Sequence, residues 1–100
     1  MNTTLGAVIK ELRERKGIHQ REMAINIGVS VQSISNIETG RQYPSQKSLE
    51  AISSVLDVPV HVIEALALDS KNVEDPAKRE ALEKGFKSLK LLIRDVYDLA

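Results

Sequence analysis

The sequence predicts an all-α fold, with one small domain followed by one appended helix. Aliphatic residues recur at three- and four-residue spacing along most of the 100-residue chain, which is the helical period. Aromatic residues make up only 3% of the chain, so the core must be built from Leu, Ile, Val and Ala. At this length one domain is expected, and we place it at 1–68, with a linker at 69–75 and a terminal helix at 76–100.

The first helix is predicted over Leu5–Lys16, where the apolar residues fall on one face. Thr3 and Thr4 precede it and are candidate N-caps, because a threonine hydroxyl can accept a hydrogen bond from a free N–H of the first turn. Gly17 follows and ends the helix, since glycine readily adopts the left-handed conformation found at helix ends.

Two shorter helices follow, and a tight turn joins them. The first covers Gln20–Ile27 and stops at Gly28, where the turn needs a positive φ that glycine adopts without strain. Ser30 is the expected N-cap of the next helix, which runs over about Val31–Thr39 and ends at Gly40. Two short helices connected in this way form a helix-turn-helix.

Three further helices are predicted after this unit. Ser45 is the expected cap of the fourth, whose apolar stripe extends to Leu56. Pro59 is expected in the first turn of the fifth, where its missing N–H costs nothing. Asp75 and Pro76 have the residue types typical of the cap and first position of a sixth helix.

Several function classes are excluded by what the sequence lacks. The absence of Cys excludes disulfides, thiolate metal sites and cysteine catalysis, and it fits a cytoplasmic location. There is no Gly-rich phosphate loop, nucleophile elbow or paired His/carboxylate motif, so we expect neither an enzyme nor a cofactor nor a metal site. No apolar run approaches the length of about 18 residues that a membrane span requires.

The neutral overall charge conceals an uneven distribution. The chain through Lys47 carries seven bases and four acids, a charge of +3, so the remainder carries −3. A basic first half is consistent with an anionic partner there. The outward residues of the third helix are polar and uncharged, and its start is expected to project from the domain, the geometry that enters a DNA major groove about 12 Å wide.

The sequence around the helix-turn-helix resembles a known family. The residues that carry the resemblance lie within roughly Leu5–Leu68, namely Leu12-Arg13, Gly17-Ile18-His19-Gln20, Met23-Ala24, Gly28-Val29-Ser30, Ile34-Ser35, Ile37-Glu38, Gly40, Pro44-Ser45, Leu49, Ile52 and Leu56-Asp57-Val58. The pattern is similar to that of the phage-repressor and Cro type helix-turn-helix family, also called the xenobiotic-response-element family. The resemblance implies a five-helix, repressor-like domain that binds double-stranded operator DNA as a two-fold dimer. It also implies a bacterial or phage transcriptional regulator, by default a repressor.

The resemblance implies roles for individual positions. The positions that face base edges are Val31, Gln32, Ser33 and Asn36. The positions expected to contact backbone phosphates are Gln20, Ser30 and Arg41, and Lys47 can join them from the fourth helix. Arg13 and Glu38 match a family salt bridge between the first helix and the end of the recognition helix.

Side-chain chemistry agrees with most of these roles. Gln32 can bond bidentately to an adenine edge, Asn36 can do the same or reach a phosphate, and Val31 can only contact a thymine methyl group.

Two positions depart from the family pattern. His19 stands where Ser or Thr is usual, and Val31 is apolar where the family often has a polar residue.

The predicted sixth helix carries an apolar stripe beyond what a five-helix core needs. Its heptad-spaced members are Leu82, Phe86, Leu89, Ile93, Val96 and Ala100, and Leu92 and Leu99 widen it. We expect this stripe to form a homodimer interface that sets two recognition helices about 34–36 Å apart on a palindromic operator. The alternative is that the helix folds back on the fifth helix as additional core.

Two other functions remain open on sequence alone. The chain could be an antitoxin that autoregulates its operon while its sixth helix binds a toxin, and an antirepressor is another conceivable protein partner. It could also be a protein-interaction adaptor whose helix-turn-helix no longer binds DNA. The adaptor reading predicts no salt-dependent affinity for any DNA sequence.

Overall fold

The computed structural model describes residues 4–99, and within them the chain forms six α-helices and no strand. Their bounds are α1 Leu5–Arg15, α2 Gln20–Ile27, α3 Val31–Glu38, α4 Gln46–Leu56, α5 Val60–Leu66 and α6 Pro76–Val96. The predicted all-α fold is confirmed, and the helix ends agree with the sequence to within a residue or so. Thr3, a candidate N-cap, and Ala100, a member of the predicted heptad stripe, lie outside the described residues.

Local capping chemistry explains where most helices begin. Side-chain oxygens accept hydrogen bonds from first-turn N–H groups at Thr4, Ser30, Ser45 and Asp75. Gly28 has φ of 75°, as the turn between α2 and α3 requires. His19 makes no side-chain capping bond, and Pro59 lies just before α5 rather than in its first turn.

The first five helices share one aliphatic core. Its most deeply buried side chains come from all five of these helices and are Ile9, Met23, Ile34, Leu49, Ile52 and Ile63. Ile34 and Ile37 anchor α3 from beneath, because they lie on its inner face and are 1% and 3% exposed. The core therefore fixes α3 and leaves its opposite face outward.

The last helix, α6, packs on this domain chiefly through its C-terminal end. None of its residues is buried, but Ile93 and Tyr97 pack against the core, and Leu99, just beyond the helix, is itself a core residue. Along the stretch from Glu83 to Arg94, α6 borders a groove of about 520 Å³ between itself and α1 and α5, lined in part by Phe86 and Leu66. Among residues 4–99 no helix is long and apolar enough to cross a membrane.

The heptad stripe predicted for α6 divides between two faces. Ile93 and Leu99 pack within the chain, which departs from their expected place on the dimer stripe, and Phe86 is half-buried beside the groove. Four members remain exposed, and we call them the α6 stripe: Leu82, Leu89, Leu92 and Val96. Their spacing of seven, three and four residues places them on one helix face. The alternative in which α6 folds back on its own domain accounts for the packed face, and the dimer interface stays a prediction for the exposed face.

Candidate nucleic-acid interface

The N-terminal half of α3 presents a polar, accessible surface. Val31 is 44% exposed, Gln32 is exposed, and Ser33 and Asn36 are half-buried. All four side chains lie on the part of α3 that the core leaves outward. The helix start is well defined, because the Ser30 hydroxyl accepts a hydrogen bond from Ser33 N–H at 3.0 Å and also donates to the Ser33 hydroxyl at 3.1 Å.

Gln32 and Asn36 form a pair on this surface. The Gln32 Nε2 donates to Asn36 Oδ1 at 3.0 Å, across one helical turn. An amide nitrogen carries two hydrogens, so Gln32 keeps its Oε1 acceptor and a second N–H donor for another partner. One acceptor beside one donor is the combination that reads the N6 and N7 positions of adenine. Asn36 therefore orients the Gln32 amide and leaves one acceptor and one donor of that amide free.

The candidate phosphate contacts fall into two groups. Arg41 and Lys47 are exposed, and neither forms an ion pair with any other residue among 4–99. The Arg41 backbone is held close to α3, because its N–H donates to the Asn36 carbonyl at 2.9 Å. Gln20 differs, since its Nε2 donates to Glu38 Oε1 at 2.9 Å within the protein. In this conformation the Gln20 amide braces α2 against the end of α3.

Below this surface lies a buried ion pair. Arg13 donates from Nε to Glu38 Oε2 at 2.6 Å and from Nη2 to Oε1 at 3.0 Å, with the two side chains 8% and 1% exposed. A third donor, Nη1, reaches the Ile18 carbonyl at 2.6 Å. The hydrogen bond to Glu38 raises the pKa of the Arg13 guanidinium, so the guanidinium stays charged. This bidentate pair joins α1 to the C-terminal end of α3.

Sequence reasoning missed Gly6 as a residue that positions the interface. A Cβ at Gly6 would overlap the Ile37 carbonyl oxygen and lie 3.0 Å from that of Glu38, so α1 packs directly on the backbone at the end of α3. The available signal was a glycine inside a predicted helix, where it costs about 1 kcal/mol relative to alanine. The close approach of α1 to the backbone of α3 explains why this cost is tolerated at Gly6.

Nothing in the described part of the chain points to metal chemistry. Among residues 4–99 no group of three or more His, Asp or Glu side chains is placed to hold an ion. The accessible features of this region are amides, hydroxyls, one apolar side chain and two unpaired cations. These groups suit hydrogen bonding to bases and charge pairing with phosphates.

Comparison with known proteins gives consistent matches. Residues 9–63 match the family model described as Helix-turn-helix. The chain is 41% identical over 59 residues to the ImmF control region 10 kDa protein of Bacillus phage phi105, covering 59% of this chain and 66% of that protein. It is 41% identical over 69 residues to the HTH-type transcriptional regulator SinR of Bacillus subtilis, covering 68% of this chain and 59% of SinR. The match thus spans less than two thirds of either relative.

Two solved structures share the architecture over nearly the whole chain. The clp gene regulator ClgR of Corynebacterium glutamicum superposes with a TM-score of 0.62 at 27% identity, covering 90% of this chain and 86% of that one. A chain from a SinR protein–SinI protein complex superposes with a TM-score of 0.57 at 33% identity, covering 96% of this chain and 93% of that one. The resemblance in structure therefore includes α6 as well as the helix-turn-helix.

Proposed function

Because the chain belongs to the helix-turn-helix family of the Cro/CI type, we propose that it is a sequence-specific DNA-binding transcriptional regulator acting as a repressor. The observation that carries this proposal is the accessible start of α3, with the Gln32 amide oriented by Asn36. A recognition helix reads bases from this end, and an oriented amide is a standard reader of adenine. The repressor assignment follows the regulator and phage control proteins that the chain resembles.

Each surface residue has a defined part in the proposed complex. Gln32 reads an adenine, Val31 contacts a thymine methyl group, and Ser33 and Asn36 contact base edges or the adjacent backbone. Arg41 and Lys47 pair with phosphates beside the groove, and the Ser30 hydroxyl lies at the helix start where a phosphate would approach. The Gln20 amide braces α2 against Glu38 in the free protein, and its second N–H donor is left for a phosphate.

We further propose that the active form is a homodimer on a palindromic operator. The α6 stripe supports this, because its four side chains are 40–69% exposed and continue one face along the helix. A two-fold dimer would cover the same stripe on both copies. Two recognition helices would then occupy successive major grooves, about 34–36 Å apart.

A protein partner is a second candidate for the α6 stripe. A solved complex of SinR with the protein SinI contains a chain that matches 96% of the present chain. A partner seated on the α6 stripe of the present chain would compete with the homodimer and lower operator occupancy. A toxin or an antirepressor would act in this way, and co-purification of such a chain would favour the antitoxin or antirepressor reading.

Replacing the proposed base-reading amides is expected to weaken sequence-specific binding. With an operator selected from a random DNA pool, Gln32→Ala and Asn36→Ala should each weaken binding by at least about fivefold, since a bidentate base contact is worth about 1–3 kcal/mol. Asn72→Ala is the matched control, because Asn72 is exposed in the segment before α6. Unchanged affinity in the α3 variants would refute the recognition-helix assignment. Failure to select any DNA, with no salt-dependent binding, would instead support an adaptor.

Charging the α6 stripe is expected to separate the dimer without unfolding the monomer. Leu89 and Leu92 are 40% and 61% exposed, so the double variant Leu89→Glu/Leu92→Glu should fold normally but sediment as a monomer. Its operator affinity should fall by about 100-fold or more, because the second half-site contact is no longer intramolecular. Leu91→Glu is the control, since Leu91 is 58% exposed but lies off the stripe. A dimer that survives the double substitution would disprove this interface.

A further inference from the structure

The C-terminal end of α6 is held on the DNA-binding helices by polar contacts as well as by packing. From these contacts we propose that Arg94 is a positioning residue that fixes the angle of α6 and thereby sets the half-site spacing the protein accepts. The inference rests on the proposed dimer and on the proposed DNA reading. It adds a specificity determinant that lies on the opposite side of α1 from the recognition helix and touches no DNA.

Arg94 makes three hydrogen bonds that bridge separate parts of the chain. Its Nη1 and Nη2 donate to the Glu11 carboxylate at 3.3 and 2.8 Å, and Nη2 also donates to the Leu99 carbonyl at 2.7 Å. A planar guanidinium bound to both oxygens of a carboxylate fixes direction as well as distance. The hydrogen bond from Arg94 is the main cause of the lowered pKa of the Glu11 carboxyl group. The carboxylate is therefore ionised at neutral pH.

Neighbouring contacts restrain the same end of α6. The Lys90 ammonium donates to the Leu68 carbonyl at 2.5 Å, just beyond α5. Leu99 is 7% exposed within the core, and Ile93 and Tyr97 pack beside it. Three restraints on one helix end, reaching α1, the segment after α5 and the core, define an orientation. The connecting segment 67–75 would not define one by itself, because it has no helix or strand.

One helix, α1, connects this contact to the recognition helix. Glu11, which binds Arg94, lies two residues from Arg13, which binds Glu38 at the end of α3. Gly6 on the same helix packs against the Ile37 carbonyl. An 11-residue helix is a stiff element, so a tilt of α6 against α1 changes the relation between α6 and α3. The dimer helix and the reading helix therefore move as one body while these contacts hold.

A fixed relation between α6 and α3 has a direct consequence on DNA. Each added base pair moves a half-site by about 3.4 Å and rotates it by roughly 34°, given about 10.5 base pairs per turn. A dimer with rigid arms can engage both half-sites at one spacing only. A dimer with hinged arms accepts several spacings, at a cost in affinity for the best one.

The test compares affinity across operators that differ only in spacing. The DNA panel contains the selected palindrome, versions lengthened or shortened by one or two base pairs, and a single half-site. The full-length variants are Arg94→Gln and Glu11→Gln, which remove the pair from either side. Lys84→Gln is the matched control, because it removes an exposed ion pair with Glu80 on the same helix. Thermal unfolding and sedimentation accompany each binding measurement.

We expect wild type and Lys84→Gln to discriminate sharply between the best spacing and its neighbours. Arg94→Gln and Glu11→Gln should lower that discrimination by at least about fivefold, while the affinity for a single half-site and the dimer dissociation constant stay unchanged. A merely stabilising role for Arg94 would change the unfolding temperature and leave the spacing profile as in wild type, and that result would overturn the proposal. Loss of spacing discrimination in only one of the variants Arg94→Gln and Glu11→Gln would also overturn the proposal.

The proposed function and this inference fail in different ways. If wild type binds no palindrome better than a single half-site, the dimer proposal is wrong, and the positioning role falls with it. If wild type is spacing-selective and both variants are equally selective, only the role of Arg94 is wrong. Should Arg94→Gln unfold, Glu11→Gln decides the question, because it leaves the bond between Arg94 and the Leu99 carbonyl available.

Discussion

Glu38→Ala is expected to lower the free energy of unfolding by about 3–5 kcal/mol, the usual cost of removing one partner from a buried ion pair. In the intact protein the Arg13 side chain is only 8% exposed, and without Glu38 the Ile18 carbonyl is its remaining acceptor. It also removes the acceptor of the Gln20 amide. Small domains are stable by only about 5–15 kcal/mol, so urea denaturation should show a much lower midpoint with a similar slope.

Two companion variants identify the cause of this loss. Glu80→Ala removes an exposed ion pair with Lys84 and should change stability by no more than about 0.5 kcal/mol. Arg13→Met/Glu38→Met removes both buried charges, and it should recover at least about 2 kcal/mol relative to Glu38→Ala, because no unpaired charge remains. A Glu38→Ala cost as small as that of Glu80→Ala would contradict the buried-pair account.

The same double variant distinguishes stability from positioning. If Arg13 and Glu38 only keep each other neutralised, the Met pair should bind the operator as wild type does once it folds. If their bidentate geometry also fixes the end of α3, as its distances of 2.6 and 3.0 Å suggest, operator affinity should remain reduced in a stable protein. Binding titrations at matched folded fractions separate the two results.

Features set by short stretches of sequence were predictable. Helix starts follow from one hydroxyl or carboxylate next to an apolar stripe, as at Ser30 and Asp75, where the side-chain capping bonds are present. The turn at Gly28 follows from one steric requirement, a positive φ. The burial of Ile34 and Ile37 follows from the helical period alone. These features need no knowledge of which helix lies next to which.

Features that depend on contact between distant helices were not predictable in the same way. The α6 heptad indicates an apolar surface but not its partner, and the structure divides it between the core and the exposed α6 stripe. Arg94 and Glu11 are 83 positions apart, and no local pattern distinguishes either from an ordinary surface charge. The Gln20 amide has two candidate partners, a phosphate and Glu38, and its bond to Glu38 depends on tertiary packing.

Gly6→Ala is expected to destabilise the protein by about 2–3 kcal/mol, although alanine is the better helix former by about 1 kcal/mol. Its Cβ would overlap the Ile37 carbonyl oxygen, a backbone atom that cannot move aside without shifting α3. Gly85→Ala provides the opposite test, because a Cβ there meets nothing within 4 Å in the single chain, and it should stabilise by about 0.5–1 kcal/mol. Thermal and urea unfolding at one fixed protein concentration compare the two. Stabilisation by both substitutions would show that α1 and α3 do not approach so closely. The proposed link from α6 through α1 to α3 would then lack its rigid contact at Gly6.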